Sequence, residues 1–199
     1  IPDTNPPRRA INCQATTGVR LGLPCEANLL ERKFSPADPD RVWVSEITYI
    51  ATDEGWLYVA AVIDLYSRQV VGWSMLPHMK TQLVSDALHM AWFRRHPAAG
   101  LIFHSDRGSQ YCSHEFQSML TGYGIRSSMS RKGNCWDNAP AESLWGSLKV
   151  GRLYGRRFHP RRAALDEIID WLPFHNHRRQ HSTRACISPV QYEQHCLTA

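Results

Sequence analysis

The apolar positions of this chain fall into runs of two different periods. Val42 to Ile50, Trp56 to Asp64 and Gln69 to Met75 are rich in β-branched and aromatic residues, separated by Thr52-Asp53-Glu54-Gly55 and Leu65-Tyr66-Ser67-Arg68. These runs predict three strands joined as antiparallel hairpins. From Thr81 the period lengthens: Leu83, Val84, Ala87, Leu88, Ala91 and Trp92 recur at helical spacing and stop before Pro97. Leu101-Ile102-Phe103 is short and wholly apolar, which predicts a strand covered on both faces. Ser113 predicts the N-cap of a helix that buries Phe116, Met119, Leu120 and Tyr123, with Gly124 to stop it. Ile125 to Met129 predicts a fifth strand. Asn138 and Pro140 open a third helix, and Leu165, Ile168, Ile169 and Leu172 mark a fourth that should end at Pro173.

The order β-β-β-α-β-α-β-α-α predicts an α/β domain: a mixed five-stranded sheet, three antiparallel strands then crossovers, flanked by helices. Residues 1–38, Pro-rich and polar, predict an N-terminal arm or linker packed loosely through Leu21, Leu23, Leu29 and Leu30. Residues 39–155 form the predicted core, and 156–199 a basic helical C-terminal extension packed on it. The chain opens on Ile1 among Pro2, Pro6 and Pro7, which predicts an upstream domain in a longer protein.

Composition narrows the class. A chain of 199 residues, 43% hydrophobic and 21% charged, can bury one sizeable core. It shows no secretory leader and no apolar run of about eighteen residues, which predicts a cytoplasmic protein without a membrane partner. The six cysteines form no CxxC pair and are expected as free thiols; Cys112 with His114 and His195 with Cys196 lack the paired spacing of a zinc site. The formal charge of +5 is unevenly spread: Lys149, Arg152, Arg156, Arg157, Arg161, Arg162, Arg178, Arg179 and Arg184 face only Asp166, Glu167 and Asp170 in the same stretch. A polyanionic partner fits that excess, although charge alone fits a solvated basic face more simply.

The chemistry concentrates in two carboxylates. Asp106 leaves the end of the apolar strand within Phe103-His104-Ser105-Asp106-Arg107-Gly108-Ser109-Gln110-Tyr111, and Glu142 lies just inside the helix that Pro140 opens, with 35 residues between them. Strand end and neighbouring helix can converge on one point, as a divalent cation with oxygen ligands requires. Two such ions roughly 3.5–4 Å apart would clamp the attacking and leaving oxygens of a phosphodiester. A third carboxylate, Glu46, stands in the middle of an otherwise apolar strand, where an acid is costly unless paired or metal-bound. Two unrelated surface acids, and an edge strand with Glu46 in water, are the plain alternatives. On the third helix Ala141, Leu144, Trp145 and Leu148 share the core side, while Glu142, Gly146 and Lys149 fall within a ~60° arc beside it. A carboxylate, a gap and a cation in line suit metal and phosphate backbone. His104, Ser105 and Asp106 cannot form a hydrolase triad, because consecutive strand residues point to alternate faces.

Further motifs carry a resemblance. Trp43-Val44-Ser45-Glu46-Ile47-Thr48-Tyr49-Ile50, Asp64-Leu65-Tyr66-Ser67-Arg68, Gly72-Trp73, His104 to Tyr111, Ser130 to Ala139 with Glu142-Ser143, and His175-Asn176-His177-Arg178-Arg179-Gln180-His181-Ser182 with Ser188-Pro189 resemble the DDE transposases of the insertion sequence 3 family. Their catalytic core is similar to retroviral integrases and ribonuclease H. The resemblance runs from about Arg41 to Glu193 and implies a ribonuclease H-like core, two magnesium ions for which manganese can substitute, and Glu46, Asp106 and Glu142 as catalytic metal ligands. It implies cleavage and joining of DNA at insertion-sequence ends, with water and then a freed 3′-hydroxyl as nucleophiles. Arg107, Gln110, Arg131, Lys132, Asn134, Lys149 and Arg152 are the expected DNA contacts. DNA at element ends and target, a homo-oligomer on that DNA and a bacterial, nucleoid-associated location complete the expectation. The family has Asp where this chain has Glu46, a carboxylate extended by ~1.5 Å. Arg184-Ala185-Cys186 replaces its usual apolar-Gly-aromatic trio. A catalytically impaired remnant that only binds DNA, and a related ribonuclease H-like nuclease, are the competing readings.

Overall fold

The computed structural model describes residues 26–131 and 135–197. Strands β1 (Val42–Thr52), β2 (Gly55–Asp64) and β3 (Val70–Leu76) form the predicted antiparallel meander. Its first turn is closed by Gly55, whose φ of +100° a side chain would oppose. Helix α1 (Thr81–Arg95) crosses over to β4 (Ile102–Ser105), parallel to β1, and α2 (His114–Gly122) crosses to β5 (Arg126–Met129), parallel to β4. The strand order is β3-β2-β1-β4-β5, so β1 is central.

Both faces of the sheet are covered, and β2 shows why its sequence is almost unbroken in apolar residues. Leu57, Val59, Ala61 and Ile63 pack with Val42, Val44 and Ile50 against α3 (Ala139–Leu148) and α4 (Arg161–His177). Ala60 and Val62 point the other way, joining Trp43 and Val71 against α1 and α2. Ser113 caps α2 as expected, its hydroxyl accepting from the Phe116 N–H at 3.2 Å.

Two expectations about the C-terminal end need correction. Helix α4 does not stop at Pro173 but runs through it to His177. The missing N–H is outweighed by tertiary anchors beyond it: the Asn176 side chain accepts from Val70 N–H and donates to Val70 carbonyl, both at 2.9 Å, and His175 Nε2–H donates to the Arg68 carbonyl. A fifth helix, α5 (Pro189–Leu197), is absent from the predicted order. It starts at a reciprocal capping box: the Gln191 N–H donates to Ser188 Oγ and the Ser188 N–H to Gln191 Oε1. From α5, Glu193 reaches Arg95 at 2.6 Å.

The basic excess is also not all surface. Arg184 is buried, donating to the carbonyls of Leu65 and Tyr66, and so fastens the C-terminal segment to the β2–β3 turn. Arg156, Arg157 and Arg162 pair with Glu167, Asp53 and Asp166. Beside Arg184, Ala185 takes a left-handed φ of 53°. Ala185→Gly is therefore expected to raise stability by about 0.5–1 kcal/mol, read from the urea midpoint, because glycine adopts this conformation without the Cβ clash.

Asp64 is wholly buried at the end of β2, accepting from the Tyr66 N–H and lying 3.8 Å from Arg95. Burial outweighs both partners and pushes its carboxyl up to about 7. The native state thus keeps a proton that the unfolded chain releases near pH 4. The resulting stability is full below that pH and is lost as pH rises through about 7. Urea midpoints should fall over this window, and Asp64→Asn should flatten the fall.

Candidate active site

Glu46 lies on the central strand, on the face of β1 that Val42, Val44 and Ile50 pack towards α3 and α4. The parallel register Val42↔Ile102, Trp43↔Phe103, Val44↔His104, continued two places, brings Asp106 level with Glu46 at the C-terminal end of β4. Carboxyl ends of neighbouring parallel strands are where open α/β sheets gather ligands. Glu142 stands in the first turn of α3, whose Ala141, Leu144, Trp145 and Leu148 are buried. The helix starts where Asn138 and Pro140 predict, but Asn138 does not cap it; its side-chain amide donates to the Ser45 carbonyl and ties the helix start to β1.

The charges of these groups act on one another. Burial first, then the charges of Glu142 and Asp106, push the Glu46 carboxyl up to about 8, with Lys149 pulling it back. Glu46 Oε2 is buried and has no hydrogen-bond partner in the protein. Asp106 is itself exposed, but desolvation by the protein around its carboxyl raises it, partly restrained by the Gly108 N–H that its Oδ1 accepts at 2.9 Å. Desolvation also raises Glu142, which remains exposed. Among the described residues no three His, Cys, Asp or Glu side chains are gathered closely enough to hold a metal ion as they stand. The donor set nonetheless fits a hard cation: all-oxygen, like-charged, with one buried oxygen unsatisfied.

The remaining predicted residues are spread more widely. Lys149 is exposed and sits 5.5 Å over the Tyr49 ring, close enough to act on Glu46. Gly146 faces open space, with nothing within 4 Å of where a Cβ would stand. Arg107 donates to the Ser130 carbonyl and Gln110 to the Met79 carbonyl, which hold the loop after β4 in place. Arg131 grips Asp137 through its backbone N–H, Nε and Nη2. Arg152 turns to α4, over the Phe174 ring and 4.0 Å from Glu167. Lys132 and Asn134 lie outside the described residues.

Sequence reading passed over the groups that hold the site's shape. Asp137, buried, accepts from Asn28, Arg32 and Arg131, and chiefly the Arg131 guanidinium holds it far below the usual carboxylate range. It links residues 28–32 of the arm to the loop before α3. His104 is buried between Ser128 and Ser130, and burial pushes it down to about 4, so a neutral ring bridges β4 to β5 and its exit. Tyr111 and Ser45 share a buried 2.8 Å hydrogen bond. An acid six residues after an arginine, before a Pro-opened helix, was the one legible signal for Asp137.

A family model described as an integrase core domain matches residues 36–135, and a second of the same description matches residues 123–189. An uncharacterized 31 kDa protein of insertion element IS600 from Shigella sonnei is 44% identical over 182 residues, which cover 91% of this chain and 67% of that protein. Transposase InsF of insertion sequence IS3A from Escherichia coli (strain K12) is 47% identical over 173 residues, covering 86% and 60%. The chain thus spans about three-fifths of the InsF length. The magnesium complex of the HTLV-2 integrase catalytic core domain (dimeric form) superposes with a TM-score of 0.62 at 19% identity, covering 79% of this chain and 98% of that one. A chain of the simian T-cell lymphotropic virus intasome, in complex with a PP2A regulatory subunit, gives 0.68 at 16%, covering 87% and 60%. At such identities the likeness is one of fold. Strand order, flanking helices and these superpositions give the ribonuclease H-like fold, and the two family models make the chain an integrase core. Within that class, the chain belongs to the insertion sequence 3 transposase family, as a catalytic core domain.

Proposed function

We propose that this core cleaves DNA 3′ ends at an insertion sequence and transfers them to target DNA, with Glu46, Asp106 and Glu142 as its catalytic carboxylates. The observation that carries the reading is the unsatisfied, buried Oε2 of Glu46 under the charges of Asp106 and Glu142, at the carboxyl ends of two parallel strands. These three side chains would hold magnesium, which when bound neutralises phosphodiester charge and lowers the pKa of a bound water. The HTLV-2 core of the same fold is a magnesium complex, which supports this choice; two ions, with manganese as substitute, complete it. Lys149, beside the carboxylates and exposed, would neutralise a backbone phosphate, and open Gly146 lets the backbone approach α3. Arg107, Gln110, Arg131, Lys132, Asn134 and Arg152 would track flanking DNA, acting mainly on phosphates. Element ends and target DNA are the proposed substrates, bound by a homo-oligomer of the chain in the bacterial cytoplasm, at the nucleoid. Relatives that are transposases and an intasome of the same fold support this assembly. Among the described residues no helix is long and apolar enough to cross a membrane.

Glu46→Asp shortens the carboxylate by ~1.5 Å, to the length usual in the family. Plasmid nicking in Mg²⁺ or Mn²⁺ should rise by about tenfold to a hundredfold, since a misplacement near 1 Å costs about that much. Equal background nicking by the wild type, Glu46→Asp and a Glu142 variant would sink the assignment.

A further inference from the structure

We propose that the cavity between α3, the β2–β3 turn and the end of α4 is a second binding site, which takes one phosphate group. Its volume is about 380 Å³, and Arg68, Arg179, His175, His181, Ser143 and Ser147 line it. No Asp or Glu is among its described lining residues, and none of Glu46, Asp106 and Glu142 borders it. It is a separate place on the molecule.

The cationic groups there are underused. Arg68 donates through Nη2 to the Phe34 carbonyl at 3.0 Å, but its Nη1 is buried without a partner. Arg179 donates through Nη2 to Ser147 Oγ at 2.9 Å, and its Nε is likewise buried and unpaired. His175 is 2% exposed; its Nε2–H is spent on the Arg68 carbonyl, and Nδ1 has no partner, nor has Nε2 of His181. Buried donors of a charged group are costly to leave unmade. The carboxylate that acts on Arg68 is Asp64, which already accepts from the Tyr66 and Asp40 N–H groups and lies by Arg95. Arg184 adds a further like charge. Burial keeps both histidines neutral, so the positive field comes from the guanidiniums.

The shape of the cavity completes the argument. Ser143 and Ser147 stand one turn apart on the side of α3 that forms the wall and offer hydroxyls, with Ala139 and Pro140 continuing that wall. Two guanidiniums and two hydroxyls suit a tetrahedral oxyanion. Ser143 follows Glu142 on α3, so a phosphate held here lies on the flank next to the candidate active site. The group can come from a DNA backbone or from free phosphate, and the test separates the two.

The chain, free of divalent metal, is titrated with inorganic phosphate against sodium chloride of matched ionic strength, by calorimetry and thermal melting. Wild type should show a saturable heat and a rise in Tm that chloride does not give. Arg179→Gln should weaken phosphate at least tenfold, and Ser143→Asp, an exposed position, should abolish the response while the chain stays folded. If Arg179→Gln also weakens a short DNA duplex and phosphate competes with that duplex, the occupant is a backbone phosphate; if duplex binding is untouched, it is free phosphate. Either result upholds the pocket. A wild-type response no greater than that of chloride, or one unchanged in both Arg179→Gln and Ser143→Asp, overturns it. Loss of nicking in carboxylate variants bears on the active site alone, so the two readings fail separately.

Discussion

Glu142→Gln is expected to lower Mg²⁺-dependent DNA nicking by roughly three orders of magnitude, about 4 kcal/mol of barrier, while the chain folds normally. The substitution keeps the volume of the side chain and removes only its charge. Glu142 is exposed on the first turn of α3, and the helix is held by Ala141, Leu144, Trp145 and Leu148 beneath it, none of which changes. Stability should even rise slightly, because desolvation already disfavours the Glu142 charge and its removal relieves Glu46 of a like neighbour. Nicking assays and urea melts on one preparation check both halves. Lost nicking with an unchanged or higher midpoint is the signature of a carboxylate kept for chemistry. Retained nicking would remove Glu142 from the proposed ligand set.

Gly72→Ala is expected to cost at least about 3 kcal/mol or to prevent folding. Gly72 lies in β3 where α1 crosses it most closely. A Cβ there would stand 2.2 Å from the Ala87 carbonyl oxygen, 2.7 Å from Ala91 N and 2.8 Å from Ala91 Cβ. Two of these are helix backbone, so no rotamer change relieves the clash and α1 must lift from the sheet. That would strip cover from Val71, Leu83, Val84 and Leu88. Against a total stability of roughly 5–15 kcal/mol, such a loss is a large fraction. Gly146→Ala is the matched control: with open space around it, alanine in the helix interior should stabilise by about 0.5–1 kcal/mol. Soluble yield and urea midpoints of the two variants separate close packing from helix propensity.

Much of the architecture was legible because local pattern and tertiary demand agree. Runs of two periods placed all five strands and α1 to α3, and Ser113, Gly55 and Pro140 punctuated them at the expected places. The errors cluster at the C-terminal end. Pro173 reads as a stop, since proline removes a helical hydrogen bond, yet Asn176 and His175 are anchored to β3 and its turn and carry the helix past it. Helix α5 was missed although Ser188 and Gln191 form a capping box whose spacing is visible in the chain.

By itself the sequence determined the strand and helix periods, the short hairpin turns and the residue types at Glu46, Asp106 and Glu142, because each is a matter of local chemistry and spacing. Which groups meet was decided only by the tertiary structure. The parallel pairing of β1 with β4 sets Asp106 level with Glu46, and neither strand alone carries that register. Burial, a property of the whole packed chain, raises Glu46 and Asp64 and leaves Arg68 and Arg179 with unspent donors. The same packing turned Arg184 from an apparent surface charge into a buried tie, since three-dimensional neighbours, and not sequence neighbours, supply its carbonyl partners.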